Sequence, residues 1–576
     1  MQKELGYFGT TLKNTPTLGL IVKSVKICRD ITDSSTPFSQ EAGQGIDNIL
    51  KYSTNLEVLG SSSAPFEILM IWSRLLKAAD DQYKSLRLFA LSDEWSPGSQ
   101  KSYKLLSLKY KDSLSKLRLY PSALLGYRIH QDVDYCTLKN SIQDFKSLEE
   151  LQLCGNFVIE DSIITELDSL IDSCLDTVHS LDLRKCNFLV KDDYRGQTKP
   201  RSSIRKLKLS DPLLSSSALQ YFASKLTALS TFVLTTKLDN TVQSITEKEY
   251  SEWWREMTNF CWNIQLYTIC IEHFKFADYL YQIKGGAELS NTIANHRIQQ
   301  ETRNITELTM RFGDLNHMQG NYHIDMNQNG SSVQLFGSEC SSDFMQTASI
   351  PRIFDSLQFF SPRIIRILNM AHSENFENLL QQPARFSLDS NETSSINDWS
   401  IFSGVMRLIK NKTGSAVHLD RMFFFDSEHI EQFEQRFTFK DTSISQLKLT
   451  NSLFYPNVLS KMLNISKIDN LIFDRCLFMT NYCYQLDIDL PETKLGYLNL
   501  NLNRTFHPNS FEHPCRHYTI TLVIGVTNLA TYTHTINEQH KAYPKFISRP
   551  GTPENFLISI KCQEIESLSI SGEKIF

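Results

Sequence analysis

The densest gathering of side chains able to bind metal or move protons is "FHPNSFEHPCRHY", which holds His507, His513, Cys515 and His517. Imidazole and thiolate together suit zinc, but a structural zinc site draws its ligands in close pairs such as C-x-x-C. No such pair stands elsewhere in the chain at ligand spacing, so these four residues read as an ordinary loop. "KGGAEL" and "GSSSAP" lack the lysine–serine ending and the strand–glycine–helix setting of a phosphate cradle. There is no G-x-S-x-G elbow, and no Cys–His–Asp set stands out. The expectation is a chain that is not an enzyme: no catalytic residues, no metal ligands and no cofactor.

What remains is recognition chemistry, carried by polar side chains that flank a recurring set of leucines. In "SLEELQLCGN" (147–156), Leu148, Leu151 and Leu153 stand three and then two residues apart. Written as apolar-x-x-Leu-x-apolar, the frame returns as "LSKLRL" (114–119), "LEELQL" (148–153), "VHSLDL" (178–183) and "IRKLKL" (204–209). It continues as "ITELTM" (305–310), "ISQLKL" (444–449), "IDNLIF" (468–473), "LGYLNL" (495–500) and "IESLSI" (565–570). Weaker copies are "YKSLRL" (83–88) and "LSTFVL" (229–234). Adjacent clear copies lie about 24 to 34 residues apart, the spacing of stacked-repeat architectures.

These copies need a short strand each, because alternate residues of a strand point to opposite faces. The leucines face inward, and stacking the strands in parallel buries them as one core. A helix must carry the chain back. After "LQLCGN", Ile163, Ile164, Leu167, Leu170 and Ile171 keep a helical period, with Asp161 placed to cap it. After "IRKLKLSDP", Leu214, Ala218, Tyr221, Phe222 and Leu226 do the same. The fold class expected is α/β: a solenoid with a parallel concave sheet, outer helices and irregular repeats.

On that frame the outward positions are Lys116, Arg118 and Tyr120; Glu150 and Gln152; Ser180, Asp182 and Arg184; Lys206, Lys208 and Ser210. Later copies add Glu307, Thr309 and Arg311; Gln446, Lys448 and Thr450; Asn470 and Asp474; Tyr497, Asn499 and Asn501. They form the expected concave face. Their mixed charge favours a protein partner over nucleic acid.

The frame resembles leucine-rich repeats of the cysteine-containing type, in which a cysteine or asparagine follows the strand. Cys186 stands three residues past Leu183, Cys476 three past Phe473, and Asn156 three past Leu153. The resemblance implies a horseshoe in which these side chains turn inward to satisfy backbone groups, as buried structural thiols. The N-terminal segment "YFGTTLKNTPTLGLIVKSVKI" (7–27), through Pro16, Leu18, Gly19, Val22, Lys23 and Ser24, resembles the region just after the F-box in fungal F-box/leucine-rich-repeat proteins. That resemblance implies the substrate-binding part of a ubiquitin ligase receptor. A Skp-type adaptor and a cullin would be partners only if an F-box is present, and six residues before Tyr7 cannot hold one. "APFEILMIWSRLLKAADDQYKSLRLFALSDEW" (64–95) opens like a degenerate F-box at Pro65, Glu67, Ile68 and Leu69. A repeat helix over 66–78 followed by a strand keeps the register and is the preferred reading there. A recognition scaffold unrelated to ubiquitin and a leucine-rich-repeat GTPase activator are the rival functions.

Totals agree with this outline. The chain has 576 residues, a formal net charge of −5 and 12 cysteines, too sparse for a disulfide scaffold. With no secretory leader and no apolar run long enough to span a bilayer, the thiols read as reduced, in cytoplasm or nucleus, with no membrane contact. Sequons at Asn304 and Asn411 are expected to stay unmodified. Residues 1–49 are expected to form a cap and 50–576 the repeats, with an irregular, insertion-rich middle over about 235–440. In that middle Trp253, Met257 and Phe260 share a helical face, Ile264–Ile269 reads as a strand, and 316–343 as an excursion loop.

Overall fold

The computed structural model describes residues 2–27, 40–61, 65–79, 82–89, 97–119, 133–157, 163–186, 198–210, 216–237, 247–274, 283–289, 292, 307–312, 322–327, 332–337, 349–357, 362–369, 398–410, 414–424, 439–454, 458–463, 465–478, 485–501, 517–525, 528–535, 541–542, 555–570 and 572–575. It is an α/β structure with parallel ladders. Two compact units divide the chain: Met1–Lys237 with Asn263–Gln265, and Leu238–Trp262 with Leu266–Phe576.

In the first unit most strands are separated by a helix, the pattern that makes neighbouring strands parallel; between β6 and β7 no helix lies among the described residues. The strands are β1 (Ser24–Ile27), β2 (Val58–Ser61), β3 (Leu88–Phe89), β4 (Lys116–Leu119), β5 (Glu150–Phe157), β6 (Ser180–Cys186), β7 (Lys206–Ser210) and β8 (Thr231–Lys237). The helices are α1 (Gln2–Asn14), α2 (Pro16–Gly19), α3 (Gln40–Tyr52), α4 (Pro65–Lys77), α5 (Pro97–Lys109), α6 (Val133–Asn140), α7 (Ile163–Ser173) and α8 (Ser216–Lys225). Strands β1–β2–β3 and β4–β5–β6–β7–β8 form two parallel runs. The amide of Ser115 donates to the carbonyl of Arg87 at 2.9 Å, linking one run to the next.

Register follows the leucines. Leu117, Leu151, Leu181, Leu207 and Phe232 stand opposite one another along the second run, all fully buried. Burying each such side chain contributes about 1.5–3 kcal/mol, shared with the helices packed beneath. Helix α4 shows how: Ile68, Ile71, Trp72 and Leu75 recur at helical spacing and are all buried. Helices α7 and α8 lie where the periodicity places them, with Leu167, Leu170, Ile171, Ala218, Tyr221 and Phe222 in the core. The capping role of Asp161 lies outside the described residues. The ladder begins at β1, inside the 1–49 segment, so "VKSVKI" and "LEVLGS" are two further copies of the frame.

One register differs from expectation. Leu59 stands opposite Phe89, so the third copy starts at Leu86 and not at Tyr83. Tyr83 occupies the corner before it, in the left-handed backbone region at φ 63°. Its buried hydroxyl donates to the carbonyl of Leu50, which makes it an anchor for the corner rather than a strand residue. Among the described residues of 64–95 are one helix, α4, and one strand, β3, in register with β2.

The second unit carries α9 (Glu247–Cys261) and strands β9 (Leu266–Phe274), β10 (Glu307–Phe312), β11 (Tyr322–Asn327), β12 (Ser332–Gly337), β13 (Ile364–Asn369), β14 (Ser415–Asp420), β15 (Phe423–Phe424) and β16 (Phe439–Thr450). Beyond them lie β17 (Leu453–Phe454), β18 (Ile465–Asp474), β19 (Leu477–Phe478), β20 (Gln485–Asn501), β21 (His517–Ile524), β22 (Asn528–Thr535), β23 (Lys541–Ala542) and β24 (Asn555–Ile570). A parallel run β10–β13–β14–β16–β18–β20–β24 places Leu308, Ile365, Val417, Leu447, Leu471, Leu498 and Leu568 in one row. All nine leucines of the sequence frame therefore sit in one of two such rows.

The middle departs from expectation in two places. Within 316–343, the described residues 322–327 and 332–337 are strands of the sheet and not part of an excursion loop: β11 and β12 pair antiparallel with each other, β11 with β9, and β12 parallel with β10. β11 and β12 are thus an antiparallel pair built into the sheet. In α9 the deeply buried tryptophan is Trp254, not Trp253, which packs edge-on against it at 4.8 Å. Trp254 presses on Gly285, where an added Cβ would fall 2.1 Å from the indole.

After β14, β16 and β18 the chain turns through Arg421, Asn451 and Arg475, each at positive φ (59°, 48° and 53°). Each turn leads into a second, two-residue strand, and β15, β17 and β19 form their own parallel ladder. Phe424, Phe454 and Phe478 stack along it, with centroids 5.3 Å apart and rings within 17° and 19° of parallel. Among the described residues no helix is long and apolar enough to cross a membrane.

Candidate partner-binding face

With leucines on one face of each strand, the third, fifth and seventh positions of the frame fall on the other. Parallel register turns them into rows across the strands.

In the first unit the third-position row reads Lys116, Glu150, Ser180, Lys206. Lys116 Nζ meets Glu150 Oε1 at 2.5 Å, Ser180 is buried, and Lys206 is exposed. The fifth-position row reads Arg118, Gln152, Asp182, Lys208. Here the expectation of an open contact surface meets a different arrangement: Arg118, Gln152 and Asp182 are buried, Gln152 completely. Arg118 Nε donates to Gln152 Oε1, and Gln152 Nε2 donates to Asp182 Oδ2 at 2.7 Å. Arg184, from the seventh position, donates to the same oxygen at 3.1 Å. Buried polar groups need such partners, because an unpaired one costs about 1–3 kcal/mol. These four residues form a polar relay that stitches three strands together. Of the remaining members Lys206 is exposed, while Lys208 and Ser210 are half-buried. Tyr120 lies outside the described residues.

In the second unit the third-position row is Ala416, Gln446, Asn470, Tyr497, Ser567. Gln446 is exposed, and Asn470 Nδ2 donates to the carbonyl of Ser445 at 3.0 Å. The fifth-position row is Arg366, His418, Lys448, Ile472, Asn499, Ser569. The seventh-position row carries Asp420, Thr450, Asp474 and Asn501. Glu307 and Arg311 lie at the third and seventh positions of β10, with side chains outside the described set; Thr309 between them is buried.

The rows around β14, β16 and β18 are tied together. Thr450 Oγ1 donates to Asp420 Oδ1 at 2.5 Å and accepts from His418 Nε2 at 2.9 Å, which places the ring proton on Nε2. Asn451 Nδ2 donates to the same Asp420 oxygen at 2.7 Å, and Asn501 Nδ2 donates to Asp474 Oδ1 at 2.8 Å. Burial pushes the His418 pKa down, Lys448 and Arg366 push the same way, and Asp420 and Asp474 oppose them.

Arg366, His418, Asp420, Arg421, Asn451 and Arg475 were not among the residues expected from the frame. "PRIIRI" and "GSAVHL" carry no leucine at the fourth position, although their strands are in register. A readable signal was the repeat "LDRMFF", "LTNSLF", "FDRCLF", whose third residue is the left-handed turn.

Cys476 turns inward as the repeat resemblance implies: its thiol donates to the carbonyl of Leu449 at 3.3 Å, and burial pushes its pKa up to about 12. Cys186 and Asn156 end or lie in strands, with side chains outside the described set. His517 opens β21, while His507, His513 and Cys515 lie outside the described residues. Among the described residues no group of three or more His, Cys, Asp or Glu is placed to hold a metal ion. No protein-family model matches the chain, and no curated protein matches it.

Proposed function

We propose that this chain is a protein-recognition scaffold of leucine-rich repeats, a solenoid whose concave sheet face grips a protein partner. The observation that supports it is the single register that places nine frame leucines in two buried rows and ranks polar side chains on the opposite face. Such a surface suits partner binding, since each strand contributes a few side chains and neighbouring strands extend the list. We further propose that it serves as the substrate-binding part of an F-box-type ubiquitin ligase receptor. The entry through α2 into β1 supports this. Gly19 lies so close to the carbonyl of Tyr52 that an added Cβ would stand 2.2 Å away, so this junction demands glycine in the Pro-x-Leu-Gly segment.

Two experiments separate the parts of this reading. A photo-crosslinker placed at Gln446, on the sheet face, should trap a partner protein in cells, while one at exposed Lys248 on α9 should not. Equal trapping from both positions overturns the scaffold reading. Pull-down of a purified Skp-type adaptor by the full chain tests the ligase reading alone, and no binding removes it.

A further inference from the structure

We infer that the fifth-position row of the second unit receives a short acidic segment of a protein partner, laid across β13, β14 and β16. The inference rests on the recognition reading above and names the chemistry of what is recognised.

Three consecutive strands present Arg366, His418 and Lys448 side by side. Strand spacing of about 4.8 Å makes the row roughly 10 Å long, the reach of three residues of extended chain. Carboxylates are already present nearby, but they lie low and are engaged. Asp420 accepts hydrogen bonds from Thr450 and Asn451, and Asp474 accepts one from Asn501. The side chain of Asp420 is 12% exposed and that of Asp474 22%, whereas Lys448 is 37% and Arg475 55% exposed. Lys448 and Arg475 stand 4.0 and 3.9 Å from Asp474, longer than a charge-assisted hydrogen bond of about 2.8 Å. A partner approaching this face meets the cations first, and carboxylates are the groups that complement them.

His418 adds a condition. Facing it are Lys448, Thr450 and Asp474 from the following strands, Arg366 from the preceding one and Asp420 from its own. Burial first, and then Lys448 and Arg366 on either side, disfavour its charged form. A carboxylate arriving between them reverses the local field and favours the imidazolium, so binding takes up a proton and strengthens as pH falls.

The test is fluorescence polarisation of a labelled eight-residue peptide alternating Glu and Ser, titrated with the full chain at low salt. The Glu peptide should bind, with a several-fold gain in affinity between pH 8 and pH 6, and its Gln counterpart should not. Lys448→Gln with Arg366→Gln should weaken binding at least tenfold, and Lys448→Arg should retain it. His418→Gln should flatten the pH dependence of binding, and an unchanged pH slope overturns the assigned role of that ring. Equal binding of Glu and Gln peptides overturns the inference, as does equal weakening by Lys206→Gln in the first unit. Competition by a single-stranded oligonucleotide as strong as by the peptide overturns it too, by assigning the row to another polyanion. If the Gln446 crosslinker still traps a partner while the Glu peptide fails, the acidic assignment falls and the scaffold stands; if both fail, both fall.

Discussion

At the scale of single residues, chemistry here is mostly suppressed by burial. The thiols of Cys476 and Cys174 are pushed up to about 12 and that of Cys562 to about 11, in each case chiefly by desolvation. Thiolate is the reactive form, so native protein treated with iodoacetamide at pH 8 should leave these three unmodified. Mass spectrometry should find them alkylated once denaturant is added. His418 behaves oppositely to a salt-bridged histidine. Its folded pKa lies below the unfolded value of about 6.5, so the unfolded chain binds the extra proton. Its contribution to stability is present above that value and lost as pH falls below it. The urea midpoint of the second unit should drop from pH 7.5 to pH 5.5, and His418→Gln should flatten part of that slope. The residues that bury themselves as a polar relay were hard to read from sequence. Arg118, Gln152 and Asp182 look like a solvated face because their partners come from strands 30 or 34 residues away.

At the scale of elements, the strands were legible because packing demands an apolar fourth position and leucine fills it. They were missed where a turn requirement displaced the apolar first position. Pro362 and Gly414, the latter at φ +78°, open "PRIIRI" and "GSAVHL". The β11–β12 hairpin carried its own signal, alternating apolar residues at Ile324, Met326, Val333 and Leu335 around an Asn-Gly pair. It was obscured by the polar residues around it. Two elements lend themselves to measurement. Phe454 stacks between Phe424 and Phe478, so Phe454→Ala should cost about 3–5 kcal/mol and Phe478→Ala, at the end of the stack, less. Chemical denaturation of the two variants checks the order. Between α7 and α8, fully buried Lys225 meets Asp168 at 2.8 Å and Asp172 at 2.7 Å, with Tyr221 donating to Asp168 at 3.1 Å. Removing that cation leaves two carboxylates crowded at a helix contact. Lys225→Ala should therefore destabilise by about 3 kcal/mol, read as a lower midpoint at unchanged denaturant slope.

At the scale of the whole molecule, each unit is a ladder in which a strand is held mainly by its two neighbours. Amide hydrogen exchange should be slowest at the middle of each parallel run, β6 in the first unit and β16 in the second, and faster at β1. Uniform protection along β1 to β8 would contradict this. The hairpin in the second unit has one more consequence, in time rather than space. During synthesis the chain emerges as β9, β10, β11, β12, yet β11 and β12 come to rest between β9 and β10. A nascent chain therefore cannot lay strand upon strand through this region. It must leave a gap two strands wide, with raw edges on both sides, until the ribosome delivers the piece that fills it. The same happens at β24, which slots between β20 and β21 after both have been made. These two seams are where a translating chain stays sticky longest, and where a chaperone would have most to guard.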